Sequence, residues 1–159
     1  MRCTNHNTRI MTERILHIAS EQETEQLGER IGQTAKPGTV IALIGDLGTG
    51  KTTLTKSIAR GLGVTETVTS PTFNIIREYK SGRIPLYHFD VYRIADPDEM
   101  FELGYEEYFY GDGICVVEWA DIIEELLPED AVIFYIERGA SEEEREYRIE
   151  GAAEDLCIF

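Results

Sequence analysis

Gly45-Asp46-Leu47-Gly48-Thr49-Gly50-Lys51-Thr52 is the stretch on which the fold of this chain turns. Its spacing is G-x-x-x-x-G-K-[ST], the pattern of a phosphate-cradling loop, or P-loop. Gly45, Gly48 and Gly50 let backbone N–H groups turn inward around an anion without a Cβ in the way. A helix beginning at Lys51 would aim its positive end at the same anion. Lys51 is then placed to reach the β- and γ-phosphates of ATP, and the Thr52 hydroxyl to ligate Mg2+. Thr49 and Thr53 flank these groups within the loop over residues 45–53. The bland reading is a glycine-rich turn that holds no ligand. The surrounding pattern argues against it, because an apolar, β-branched run (residues 39–44) precedes the loop and a helical pattern follows it.

Working outward, the same reading extends over most of the chain. Residues 15–19 suit a short strand. Ser20 with Glu23 forms a capping-box pattern for a helix through about Thr34. The helix after the loop is expected to run from Lys51 to about Arg60, stopped by Gly61 and Gly63. Residues 73–79 and 84–92 read as two strands joined by a hairpin turn at residues 80–83. Asp96-Pro97-Asp98-Glu99 signals a helix start with Asp96 as N-cap. Residues 114–117 suit a buried strand, and residues 121–127 a short helix ended by Pro128. A last hairpin joins 131–138 to 145–151 around Ser141-Glu142-Glu143-Glu144, which reads most simply as a solvated acidic turn. Strands alternating with helices, plus hairpins, imply an α/β fold: a single-domain P-loop NTPase with a mixed parallel/antiparallel central sheet flanked by helices. Residues 1–11 read as a disordered extension, and residues 12–159 as the P-loop ATPase domain.

Composition narrows the function. The chain has 159 residues, with 30 acidic against 15 basic side chains and a net charge of −15. A nucleic-acid binder needs a basic footprint, and any direct contact with tRNA or DNA would need a local basic patch, which the sequence does not show. An acidic surface suits docking on a basic protein partner instead. No apolar run approaches the ~20 residues that span a bilayer. The first ten residues carry no secretory signal pattern. A cytoplasmic protein is therefore expected, with Cys3, Cys115 and Cys157 as reduced thiols.

A P-loop works with a second acid near the metal, normally at the end of a neighbouring strand. Glu118 ends the strand 114–117, and Asp90 lies in His88-Phe89-Asp90-Val91-Tyr92-Arg93. Either could coordinate Mg2+ or orient the attacking water. The plain alternatives are that Asp90 is a structural partner of Arg93 or His88, and that Glu118 is a surface strand end. Trp119 either walls the site or contacts a partner, or is simply a half-buried aromatic. Ser70 or Thr72 could sense a γ-phosphate, or could only shape a turn.

Four pieces in this order, the loop at residues 45–53, Ser70-Pro71-Thr72-Phe73, His88-Phe89-Asp90-Val91-Tyr92-Arg93 and Val117-Glu118-Trp119, resemble the TsaE family over roughly residues 11–138. That resemblance implies a small ATPase that works with TsaB and TsaD in N6-threonylcarbamoyladenosine modification of tRNA adenosine 37. It implies phosphate and metal at Lys51 and Thr52, a metal ligand at Glu118, an acid needed for hydrolysis at Asp90 and a functional aromatic at Trp119. It also places Thr24 near the base side of the nucleotide. Weak activity is expected for the subunit alone.

Three other readings compete. A small-molecule kinase would need a lid bearing arginines, and Arg60, Arg77, Arg83, Arg93 and Arg138 are dispersed. A GTPase switch would need a guanine-reading N-K-x-D segment, which is absent. A non-hydrolysing, nucleotide-binding regulatory module would share every motif named above.

Overall fold

The computed structural model describes residues 12–46, 48–71 and 73–151. Twelve elements follow one another. These are β1 (Thr12–Ile18), α1 (Glu21–Thr34), β2 (Val40–Ile44), α2 (Lys51–Leu62), β3 (Ile76–Tyr79), β4 (Leu86–Asp90), α3 (Glu99–Glu102), α4 (Tyr105–Phe109), β5 (Ile114–Glu118), a 3₁₀ helix (Ala120–Leu126), β6 (Val132–Arg138) and β7 (Arg145–Gly151). The strands make one seven-stranded sheet in the order β1-β7-β6-β2-β5-β4-β3. β6, β2, β5 and β4 are parallel neighbours, and the two outer flanks are antiparallel. The mixed α/β sheet read from the sequence is therefore the observed one.

Strand periodicity builds the layers. Ile41 and Leu43 of β2, with Ile114 and Val116 of β5, join the core under α1 and α2. Val40, Ala42, Cys115 and Val117 alternate onto the other face, against Met100, Tyr105 and Phe109. Both faces of the central strands are thus covered, as parallel pairing requires. Leu86 of β4 belongs to the α1–α2 side. The alternation then directs His88, Asp90 and Glu118 toward that side as well, at the end where α2 begins.

α1 and α2 approach closely through glycine. A Cβ on Gly61 would lie 2.1 Å from the Glu29 carbonyl oxygen, and one on Gly32 would lie 2.1 Å from that of Ile58. Gly61→Ala should therefore lower stability by about 1–3 kcal/mol despite alanine's better helix propensity, because backbone atoms cannot step aside. A urea midpoint at or above wild type would show that the helices separate at no cost.

Several boundaries differ from the sequence reading. Gly61 continues α2, and only Gly63, at φ 84°, caps it. β3 starts at Ile76 rather than residue 73, because the chain turns at Phe73 and Asn74 and Ile75 adopts φ 65°. β4 ends at Asp90, whose Oδ1 accepts the Tyr92 N–H at 3.1 Å and bends the chain away. Asp96 caps as expected in chemistry, accepting the Asp98 N–H at 3.0 Å. The first turn is closed by i to i+3 bonds such as Glu99 N–H to Asp96 O, so regular helix begins only at Glu99. Residues 120–126 form a 3₁₀ helix kinked at Ile123, and Leu127 is extended ahead of Pro128. Cys115 is a buried free thiol whose pKa burial pushes up. The expectations about residues 1–11, Thr72, Cys3 and Cys157 lie outside the described residues. Among the described residues, no helix is long and apolar enough to cross a membrane.

Candidate functional site

The loop leaves the C-terminal end of β2 and enters α2 at Gly50, whose φ of 96° only glycine adopts without strain. Gly48 has φ 79°, and a Cβ there would also sit 2.6 Å from Arg138 Nη2. The first-turn N–H groups of a helix lack intrahelical acceptors. α1 answers this with Glu21 and Glu23 in its first turn and with Ser20, whose hydroxyl accepts the Glu23 N–H at 3.3 Å. α2 has neither an acid in its first turn nor a side-chain cap. Among the described residues no side chain caps its positive end, which is the end that favours an anion.

That end faces a cavity of about 730 Å³. Gly48, Thr49, Gly50, Lys51, Thr52 and Thr53 line one side of it. Asp90, Glu118, Trp119 and Thr24 line the rest, so candidates separated by up to 95 positions converge on one space. Gly45 stands behind the loop, its carbonyl accepting from Lys51 Nζ at 2.5 Å. The Lys51 ammonium also donates to the Asp46 carbonyl at 2.9 Å and lies 4.0 Å from the Trp119 ring centre. Burial pushes its pKa down, against the opposing pull of Glu118, Asp46, Asp90 and Asp121.

Glu118 is no surface strand end: it is 2% exposed. The Thr52 hydroxyl donates to its Oε1 at 3.3 Å, and His88 Nε2 lies 2.5 Å from its Oε2. Two hard oxygens, a hydroxyl and a carboxylate, thus meet beside the loop, the donor set that suits a small divalent cation. Asp90 is partnered by neither Arg93 nor His88. Its Oδ2 accepts from the Ser70 hydroxyl at 3.0 Å, and its Oδ1 from the Tyr92 amide. Trp119 is half-buried, held at φ 61° and packed at a tilt against Tyr92, with ring centres 4.8 Å apart. It borders the cavity.

The sequence did not disclose everything here. Glu21, Glu142, Glu143 and Arg145 also line the cavity. The acidic turn read as merely solvated is exposed but borders the site. Arg145 stitches that turn to the loop. Its Nε donates to the Thr49 carbonyl at 2.9 Å, and its Nη1 to the carbonyls of Glu142 and Glu144 at 2.6 and 2.8 Å. Nothing local in the sequence marks Arg145, because the contact spans 96 positions. Arg145→Ala should cost about 1.5–3 kcal/mol, the range for hydrogen bonds to a charged group. Arg145→Lys should recover little of it, since one ammonium cannot span the fork. Urea titration of the three proteins checks this, and an unchanged midpoint for the alanine variant refutes it.

Five carboxylates (Glu21, Asp90, Glu118, Glu142, Glu143) and two cations (Lys51, Arg145) border the cavity. A polyphosphate would enter against that excess unless a metal ion came with it. The geometry therefore suits a metal–nucleotide complex better than a bare anion.

Known proteins resemble this chain in sequence and in fold. The family model described as "Threonylcarbamoyl adenosine biosynthesis protein TsaE" matches residues 18–147. The tRNA threonylcarbamoyladenosine biosynthesis protein TsaE of Bacillus subtilis (strain 168) is 53% identical over 125 residues, 79% of this chain and 77% of its own length. Its counterpart from Treponema pallidum (strain Nichols) is 43% identical over 113 residues, 71% of this chain and 83% of its own. The crystal structure of Bacillus subtilis YdiB aligns with a TM-score of 0.79 and 41% identity, covering 94% of this chain and 95% of that one.

Proposed function

The chain belongs to the TsaE family, and from that premise we propose that it binds and hydrolyses ATP with Mg2+ in support of N6-threonylcarbamoyl modification of tRNA adenosine 37. It acts on a complex of TsaB and TsaD and touches tRNA only through them. The pathway follows from the names its relatives bear. The observation that best supports the nucleotide reading is the uncapped N-terminus of α2. It opens on the same cavity as Lys51 and the Thr52–Glu118 pair.

The roles follow from position. Loop amides and the Lys51 ammonium neutralise phosphate oxygens, leaving the carbonyls of Gly45 and Asp46 when the anion arrives. Thr52 and Glu118 would hold Mg2+, which would supply positive charge against the phosphates. Asp90, fixed by Ser70 and the Tyr92 amide, presents its carboxylate to the attacking water. Trp119 screens Lys51 from bulk water and strengthens its field on the phosphate. Thr24 and Glu21 at the start of α1, with the turn held by Arg145, border the nucleoside half.

Phosphate release from ATP tests the reading, measured for the chain alone, with EDTA, and with TsaB and TsaD added. Metal-dependent turnover that rises with the two partners is expected. Tight Mg–ATP binding with no turnover in the full mixture would leave a regulatory module. Transfer to an added acceptor would make it a kinase.

A further inference from the structure

His88 is wholly buried on β4, two residues before Asp90 and one strand away from Glu118. Packing alone does not account for it, because an imidazole without a polar partner is a poor core residue. Its Nε2 lies 2.5 Å from Glu118 Oε2, while its Nδ1 has no hydrogen-bond partner. Among the described residues, the ring's single polar contact is therefore to the carboxylate that also meets Thr52.

We propose that His88 is the positioning residue of the magnesium site: its Nε2–H holds Oε2 of Glu118 and so commits Oε1 to the cation beside the Thr52 hydroxyl. This inference rests on the Mg–ATP reading and adds to it a residue that touches neither nucleotide nor metal.

An ionised carboxylate only accepts, so in the proposed contact Nε2 carries the proton and donates. A glutamate carboxylate rotates about its terminal torsion in a broad, two-fold well, which exchanges its oxygens. The bond to His88 removes that freedom. With Oε2 engaged, Oε1 remains toward Thr52, 3.3 Å from its hydroxyl. The backbone register supports the arrangement. Asp90 pairs with Glu118 and His88 with Val116, so His88 reaches the carboxylate diagonally from below, on the side away from the cavity. Outer partners of this kind orient a ligand, and their loss typically weakens metal binding 10–100-fold.

The test uses Mn2+ as the probe, titrated into the full chain saturated with a non-hydrolysable ATP analogue and followed by the EPR signal of the free ion. His88→Met removes the donor at similar volume, and His88→Gln returns an N–H near the Nε2 position. His88→Met should raise the Mn2+ dissociation constant about 10–100-fold and leave the affinity for metal-free analogue unchanged. His88→Gln should recover most of the loss, and steady-state kinetics should show the Met defect in kcat rather than KM at subsaturating metal. Wild-type Mn2+ affinity in folded His88→Met, or equal loss in both variants, overturns the proposal. A wild-type chain that binds the analogue but no Mn2+ brings down the magnesium reading and His88 with it. Should His88→Met fail to fold, the wild type still decides. A proton on Nε2 in 15N spectra of labelled histidine supports the proposal, and a proton on Nδ1 alone overturns it.

Discussion

Lys51→Ala should abolish productive ATP binding while leaving the fold standing. Two charge-assisted contacts to phosphate at about 1.5–3 kcal/mol each amount to a loss of roughly 10²-fold or more in affinity, at 1.4 kcal/mol per tenfold. The fold has little to lose. The ammonium sits on two loop carbonyls and against Trp119, yet burial already pushes its pKa down, so the charged form is disfavoured by its surroundings. A lysine whose pKa is lower folded than unfolded opposes folding wherever the unfolded chain is protonated, which includes neutral pH. Alanine removes that opposition together with the two carbonyl contacts, and the two effects offset each other. The melting temperature should stay within about 4 °C, the shift that about 1 kcal/mol produces in a domain of this size. Isothermal titration with Mg–ATP and a thermal melt together check the claim. Unchanged affinity would remove the loop from the nucleotide site, and a collapsed melt would make Lys51 structural.

The loop was legible because its demands are local. Glycines at fixed offsets, a lysine and a threonine must be adjacent in sequence to be adjacent in space, and a buried strand before them with a helix after leaves one placement. Ser20 and Glu23 were legible for the same reason, although Glu23 Oε2 accepts from the Ala19 N–H rather than from that of Ser20. Glu118 was legible as a strand-end acid and Asp90 as an acid inside the expected strand 84–92, but their partners were not. Which side chain meets which depends on strand order, and the placement of β5 between β2 and β4 brings His88 to Glu118 across 30 positions. Arg145 lies further still from the loop it braces. Its carbonyl acceptors carry no side-chain signature, so no reading of residue types could have found them. Local geometry also defeated pattern at Phe73 to Ile75, where apolar residues that suit a strand turn instead. The Asp90 N–H bonds the Ile75 carbonyl at 2.8 Å, and Ile75 sits at φ 65°.

Glu118→Ala and Asp90→Ala should each slow hydrolysis by about 10²-fold or more, the loss expected when a group that stabilises transition-state charge is removed, but they should fail differently. Glu118 is buried and shares its two oxygens between His88 and Thr52. Without it the Thr52 hydroxyl loses its carboxylate neighbour and His88 Nε2 is left unsatisfied in the core. The defect should deepen as magnesium is lowered, and stability should fall by about 1–3 kcal/mol, the cost of an orphaned buried donor. Asp90 is more open, and its partners are Ser70 and a backbone amide that can turn to water. Its loss should lower kcat with little change in metal dependence, ATP affinity or melting temperature. Both variants keep the loop, so both should still bind nucleotide. A magnesium titration of phosphate release at saturating ATP separates them, since only the Glu118 curve should move to higher metal. Identical magnesium curves would mean that the two acids share one role, and near-normal turnover in both would place the metal and water ligands elsewhere. The order of the effects matters because the two side chains face each other in register across β4 and β5. Position alone cannot divide the work between them, but the partners behind each carboxylate can. Under the proposed function, histidine and threonine would fix one as a ligand, while a hydroxyl and an amide would hold the other toward the attacking water.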